Sequence, residues 1–318
     1  MPPPRLPKWM PAQTYRPMTE RFKQYISTVA LASALALYPA MTSAEELGVD
    51  SAADIRTASF TDAPSETSRP VTGCYSLEFG RHSVVSQYLA PVTYAGTRYA
   101  VSGRWEKCMP FAPQSAMMAF EAHVDGALSL LNPRQNSSMQ AIDADFAWNM
   151  RGWWRLPQGF AVSAGGGLEV EAGALALLKN SNNPVSVNVA AAVEAAASVS
   201  WTHRFWRVPT VVTLNLRTPL LGAFYMPGYG ETYYEMYLGN HAGLVHCGWP
   251  GNRRKVNLHL GIRLDLGRTA MELGYRLDWQ RASANNLVYR SLTNAFTIGV
   301  IPGGLGMKRP ASRQIRPF

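Results

Sequence analysis

Hydrophobic and polar residues alternate without interruption over residues 256–266. Valine, leucine and isoleucine occupy every even position of this segment, whereas the odd positions include His259, Arg263 and Asp265. Successive side chains of a β-strand point to opposite faces, so this alternation predicts a strand with one apolar and one polar face. A shift of one residue would move every charge to the apolar face.

The same alternation recurs along most of the chain. It covers residues 74–79, 98–106, 118–130, 142–151, 160–172, 185–202, 210–217, 271–279 and 292–300, with 233–237 as a further candidate strand. Several segments exceed ten residues, which suits a tilted bilayer crossing of about 9 to 11 residues. An apolar outer face and a polar lumen are typical of transmembrane barrels, which usually have even strand numbers. We therefore predict an all-β protein, a transmembrane antiparallel β-barrel of about 12 strands, with 10 as the alternative.

The first 44 residues have the features of an upstream extension followed by a secretory signal peptide. Arg21 and Lys23 precede an apolar run, and Ala44 ends a group of small residues that suits cleavage. Met18, just before the basic residues, is an alternative start to Met1. We predict four parts: the leader at 1–44, a flexible periplasmic lead-in at 45–70, the β-barrel at 71–301 and a basic tail at 302–318. This order predicts the outer membrane of a Gram-negative bacterium.

Charge and aromatic residues support a membrane protein rather than a nucleic-acid-binding one. The formal net charge is +9, but no basic stripe interleaved with aromatic residues is present. Trp105, Trp201 and Trp279 fall near strand ends, where aromatic rings favour the lipid headgroup layer. The expected partners are outer-membrane lipid and the barrel assembly machinery, no nucleic acid is expected, and the protein is predicted to be a monomer.

Charged residues on the polar faces are the main candidates for a functional site. In a barrel of this size they either fill the interior with salt bridges or line a narrow passage, and the sequence is compatible with both. The lumen-facing candidates are Arg98, Arg104, Glu121, Asp143, Asp145, Glu169, Glu171, Glu194, Arg263, Asp265, Glu272 and Arg276. Further charged residues share the predicted polar faces: Glu106, Asp125, Arg151, Arg217 and Asp278.

A glycine-rich loop over residues 238–254 holds a second set of candidates. Its polar residues are Asn240, His241, His246 and Asn252. A loop histidine that activates a serine, such as Ser283 or Ser291, would make the protein a lipid hydrolase. The chain contains no G-x-S-x-G motif, however, so no catalytic residue is assigned. The two histidines lack a third ligand with suitable spacing, and neither a metal nor another cofactor is predicted.

Three cysteines lie in the mature part of the chain. An exported chain is able to oxidise, so Cys108 and Cys247 are candidates for a disulfide that would leave Cys74 unpaired. The spacing of the cysteines does not require this pairing.

Segments 88–97, 239–252 and 291–300 resemble a family of predicted outer-membrane proteins of Bacteroides-like bacteria that is classed as a domain of unknown function. The resemblance covers most of the mature chain. It implies an outer-membrane β-barrel and brings no known activity or catalytic residue.

The sequence thus predicts an outer-membrane barrel with a structural or narrow channel or transport-like role, and a non-enzymatic role is favoured. The alternatives are an outer-membrane hydrolase of lipid A or phospholipid and a soluble periplasmic β-protein that binds a ligand.

Overall fold

The computed structural model describes residues 71–108, 116–180, 183–205, 208–229, 239, 243–266 and 269–302, and β-strands form most of this part of the chain. The strands are β1 (Val71–Ser86), β2 (Ala90–Cys108), β3 (Ala116–Leu131), β4 (Ser138–Arg155), β5 (Phe160–Ala176), β6 (Val185–Phe205), β7 (Val208–Tyr225), β8 (Val245–Gly248), β9 (Arg253–Asp265), β10 (Thr269–Ala284) and β11 (Leu287–Pro302). A short 3-10 helix, Pro157–Gly159, connects β4 to β5. Among these residues, no helix is long and apolar enough to cross a membrane.

The ten long strands close into an antiparallel barrel. Neighbouring strands follow the order β6, β5, β4, β3, β2, β1, β11, β10, β9 and β7, and the pairing of β6 with β7 completes the circle. The first and last strands of the chain are joined through pairs such as Phe79 with Phe296. The predicted transmembrane β-barrel fold is therefore confirmed, with the smaller of the two predicted strand numbers. The candidate strand at 233–237 lies outside the described residues.

The short strand β8 continues the line of β9 rather than adding to the barrel circumference. Residues Gly222 to Tyr225 of β7 pair with β8, whereas residues 210–217 of β7 pair with β9. Between β8 and β9, Asn252 accepts a hydrogen bond from the Trp249 backbone N–H and donates one to the carbonyl of Cys247. The predicted loop at 238–254 thus contains an ordered strand and turn.

The two ends of the barrel differ. At one end, here called the terminus end, β1 begins and β11 finishes. The opposite end, here called the turn end, carries the short turns after β1 and β10 and the long connection between β7 and β9. The backbone of Cys108 lies at the terminus end, and Cys247 lies near the turn end as a free thiol. Their strand positions rule out the candidate disulfide.

Large apolar side chains cover the outer face. Leu77 and Phe296, for example, are 65% and 59% exposed. Phe296 also packs against the rings of Phe79 and Tyr275, at centroid distances of 5.9 and 5.6 Å. Such a continuous apolar surface is unfavourable in water and suits the hydrocarbon of a bilayer. The outer face is therefore the membrane-facing surface.

An apolar cluster lies inside the barrel at the turn end. It brings together side chains from nearly every long strand and from the turn after β1: Val84, Tyr88, Leu89, Tyr94, Ala127, Leu130, Met139, Ala141, Leu175, Leu177, Ala190, Phe224, Ala282, Leu287 and Tyr289. We call this set the apolar layer. Its burial stabilises the barrel through the hydrophobic effect.

One inward-facing glycine marks a close approach of two strands. A Cβ atom at Gly80 would overlap the backbone carbonyl of Asn294 on β11, whereas a Cβ at Gly126 would lie 3.7 Å from its nearest neighbour. We expect Gly80→Ala to lower the free energy of unfolding by about 1–3 kcal/mol through overpacking, and Gly126→Ala to leave it nearly unchanged. Urea unfolding in detergent, followed by the gel mobility of the folded form, measures both. Equal midpoints for the two variants would contradict this packing.

Candidate functional site

The polar faces of the strands meet inside the barrel. The structure places the twelve lumen-facing candidates on these faces, with Asp143 and Asp145 half-buried and the others buried: Arg98, Arg104, Glu121, Asp143, Asp145, Glu169, Glu171, Glu194, Arg263, Asp265, Glu272 and Arg276. Alternation along each strand causes this arrangement, because every second residue points inward. Charges removed from water in this way require partners.

Two arginines meet one carboxylate at the centre of the interior. Arg276 on β10 donates to Glu121 on β3 at 2.7 Å and to Glu78 on β1 at 3.1 Å. Arg217 on β7 approaches the same Glu121 at 3.3 Å. Three strands separate β3 from β10 in the sheet order, and three separate β3 from β7. These ion pairs therefore cross the interior rather than run along one wall.

Arg217 also binds carboxylates on two further strands, the neighbouring β6 and the more distant β4. Its guanidinium donates to Asp145 on β4 at 2.9 Å and to Glu194 on β6 at 3.1 Å. The planar guanidinium offers five donors in fixed directions, so it can serve several carboxylates at once. Arg217 thus links three strands to β7 through one buried side chain.

Nearer the terminus end, the carboxylate of Glu272 on β10 accepts hydrogen bonds from two arginines. Arg104 on β2 donates through one nitrogen to both carboxylate oxygens, at 2.9 and 2.7 Å, and Arg263 on β9 donates at 2.7 Å. Arg263 also lies 3.6 Å from Glu106 on β2. This cluster again joins opposite sides of the barrel.

Nearer the turn end, Lys255 on β9 lies among three carboxylates. Its ammonium contacts Asp145 at 2.7 Å, Glu171 at 3.0 Å and Glu169 at 3.1 Å. Arg253 contacts Glu171 at 3.1 Å and Glu169 at 3.4 Å. Ligand oxygens of the three carboxylates lie within 4.8 Å of one another, a spacing that would suit a metal ion. The lysine ammonium supplies the positive charge at this position.

A cavity of about 40 Å³ lies beside this cluster and below the apolar layer. Its volume matches one or two water molecules. Arg98 pairs with Asp125 at its wall, and His82 donates to or accepts from Thr293 through Nδ1 at 2.8 Å. The other polar residues of the wall are His123, Asp143, Asp145, Glu171, Lys255, Asp278, Gln280, Tyr289 and Ser291. Polar side chains form nearly all of the wall of this cavity.

The loop candidates have structural contacts where they are described. His246 on β8 donates from Nε2 to the carbonyl of Met226 at 3.0 Å, and Asn285 in the turn after β10 donates to the same carbonyl at 3.1 Å. Asn252 closes the turn between β8 and β9. Asn240 and His241 lie outside the described residues.

The serines considered for a hydrolase are separate from His246 in the described part of the chain. Ser283 approaches the carbonyl of Asn252 at 3.5 Å, and Ser291 faces the interior cavity. The described residues therefore contain no hydrogen-bonded pair of His246 with either serine.

Three members of the interior network were missing from the sequence-based candidates. Glu78, Arg253 and Lys255 are each buried and ion-paired. Glu78 follows the alternation of β1. The period of two that begins at Asn257 extends back through Lys255 to Arg253, so it could have indicated both residues. Arg253 falls instead within the predicted glycine-rich loop, and Lys255 falls between that loop and the predicted strand.

The closed barrel, its apolar outer face and its charged interior define an outer-membrane β-barrel fold. Solved structures with similar chains include the outer-membrane protease OmpT of Escherichia coli, with 8% identity, coverage of 78% of this chain and 99% of that chain, and a TM-score of 0.38. The β domain of the Bordetella autotransporter BrkA has 9% identity and a TM-score of 0.37, and the match covers 73% of this chain and 98% of that domain. The translocator domain of the autotransporter NalP from Neisseria meningitidis has 8% identity and a TM-score of 0.34, and the match covers 85% of this chain and 97% of that domain.

The chain belongs to the family described as a protein of unknown function, DUF3316, whose model matches residues 40–305. The predicted membership of a family with a domain of unknown function is thus confirmed. No curated protein sequence matches the chain.

Removal of a central arginine tests the importance of the interior ion pairs. We expect Arg217→Met to lower the free energy of unfolding by about 3–5 kcal/mol, because three buried carboxylates lose a partner. The control is Arg134→Gln, which changes an exposed arginine in the turn after β3. This substitution should change the free energy of unfolding by at most about 0.5 kcal/mol. Urea unfolding in detergent measures both variants. An unchanged midpoint for Arg217→Met would show that the network contributes little.

Removal of the Lys255 ammonium should leave three carboxylates with a spacing that suits Ca²⁺. We expect the unfolding midpoint of Lys255→Met to rise with added Ca²⁺, because the ion binds only the folded form. The wild-type midpoint should not respond at the same Ca²⁺ concentration. Parallel titrations with Mg²⁺, which demands a stricter geometry, provide a comparison. If the unfolding midpoint of Lys255→Met did not change with added Ca²⁺, the assignment of Lys255 as the charge-balancing cation would be contradicted.

Proposed function

We propose that this protein is a closed, non-conducting barrel that has a structural role in the outer membrane and presents its turn-end loops at the cell surface. The observation that carries the proposal is the set of ion pairs that cross the interior. Arg276 and Arg217 reach Glu121 from two different sides, and Lys255 reaches β4 and β5 from β9. The apolar layer provides a second barrier at the turn end.

The interior charges favour a structural role over a channel. Ions pass through a channel when its binding sites hold them weakly enough to release them. Here Arg276, Arg217 and Glu272 are buried, and each is ion-paired with a residue on another strand. These charges therefore bind other side chains of the barrel rather than a passing ion. Wide aqueous lumens belong to barrels of about 16–18 strands. We accordingly assign the twelve lumen-facing candidates to stabilisation of the barrel.

The orientation and processing of the chain form part of this proposal. Extracellular loops of such barrels are usually longer than periplasmic turns, and the long connection between β7 and β9 lies at the turn end. We therefore assign the turn end to the cell surface. The signal peptide would be cleaved near Ala44, residues 45–70 and 302–318 would remain in the periplasm, and the barrel assembly machinery would insert the barrel as a monomer.

Conductance of the full chain in planar lipid bilayers tests the closed interior. We expect wild-type protein to give no stepwise conductance at about 100 mV, because the crossing ion pairs block ion passage. Altered gel mobility of the unboiled protein, extracted from the same bilayers, confirms that a folded barrel was inserted. Arg276→Gln is the matched variant. Wild-type conductance steps whose ion selectivity changes in Arg276→Gln would show a path through the interior and contradict the proposal.

A further inference from the structure

Three arginines lie side by side on the outer face near the turn end. Arg281 on β10 pairs directly with Arg254 on β9 and with Arg290 on β11. All three side chains are exposed. Neighbouring strands are about 4.8 Å apart, so the three positions span about 10 Å across the wall. We call this set the arginine row.

The arginine row is an unfavourable arrangement without an anion. Like charges directly opposite on neighbouring strands destabilise a sheet. Within the described ranges, Arg281 and Arg290 have no ion pair with a carboxylate, and Arg254 donates from Nε to the carbonyl of Pro250. In the described part of the chain, the guanidinium groups of Arg281 and Arg290 and the terminal nitrogens of Arg254 thus have no protein partner and can bind an external anion.

The position of the row relative to the apolar outer face indicates the kind of anion. Two residues nearer the terminus end, on the same outward face of the three strands, lie Val256, Trp279 and Leu292. Tryptophan favours the boundary between hydrocarbon and headgroups. The arginine row therefore lies where the apolar surface ends, at the level expected for lipid headgroups.

We propose that the arginine row binds the phosphate groups of lipid A in the outer leaflet. Guanidinium groups bind phosphate through paired, charge-assisted hydrogen bonds, and a row of about 10 Å presents several such groups to a headgroup with two phosphates. The apolar side chains below the row provide a surface for the acyl chains of the same molecule. The proposal rests on the cell-surface orientation of the turn end, and it holds whether or not the interior conducts ions.

Binding of bisphosphorylated lipid A to the full-length protein in detergent, followed by native mass spectrometry, tests the site. We expect the triple variant R254Q/R281Q/R290Q to bind about a hundredfold more weakly than wild type. The triple lysine variant at these positions should bind with an affinity between those of wild type and the glutamine variant, because it keeps the charges but loses the paired hydrogen bonds. Arg134→Gln, at an isolated exposed arginine of the same end, should bind as wild type does.

Further comparisons identify the source of the phosphate. Wild type should bind dephosphorylated lipid A about as weakly as the triple glutamine variant binds bisphosphorylated lipid A, and inorganic phosphate at an equal concentration should not displace the lipid. The shift in gel mobility on boiling verifies that each variant is folded. If the triple glutamine variant does not fold, R281Q alone should weaken binding about tenfold. Unchanged affinity in the folded glutamine variant, equal binding of both lipids, or displacement by inorganic phosphate would overturn the proposal.

Discussion

The structure depends on the pairing of buried charges across the barrel interior. An isolated charge in a low-dielectric environment is costly, so each inward-facing arginine or carboxylate requires a partner. In a narrow barrel the partner is supplied by another wall: Arg276 and Arg217 both reach Glu121, and Arg104 reaches Glu272. The interior thereby replaces the apolar core of a soluble protein with a network of ion pairs. In the function proposed above, that network stabilises the barrel and occupies the space that a channel would need.

The outer face and the interior place opposite demands on the same strands. Phe296 and Leu77 face outward, where lipid accepts an apolar surface, while Glu78 lies beside Leu77 and points into the charged interior. Strict alternation satisfies both environments at once. At the turn end the interior becomes apolar, and the outer face gains the arginine row. Towards the turn end the inner surface thus changes from charged to apolar, and the outer surface changes from apolar to charged.

Much of the fold follows from the period-two pattern, because this pattern is local and each strand repeats it. The faces of residues 256–266 and the inward position of Glu121 are direct consequences. The strand number was harder to predict, since β8 continues β9 and closure depends on the pairing of β6 with β7. Ion-pair partners such as Lys255 with Asp145 depend on the register and diameter of the closed barrel, which no local pattern contains. The glycine-rich composition around residue 250 hides the start of β9, so the sequence places Arg253 in a loop and leaves Lys255 outside the predicted strand.

A double-mutant cycle between Arg276 and Glu121 tests the central claim most directly. The two side chains lie on β10 and β3 and are 2.7 Å apart, so they interact only if the ion pair crosses the interior. The free energy of unfolding would be measured for wild type, Arg276→Met, Glu121→Gln and the double variant. The structure predicts a coupling energy of about 1–3 kcal/mol. Additive effects of the two substitutions would contradict an interior held together by ion pairs between opposite walls.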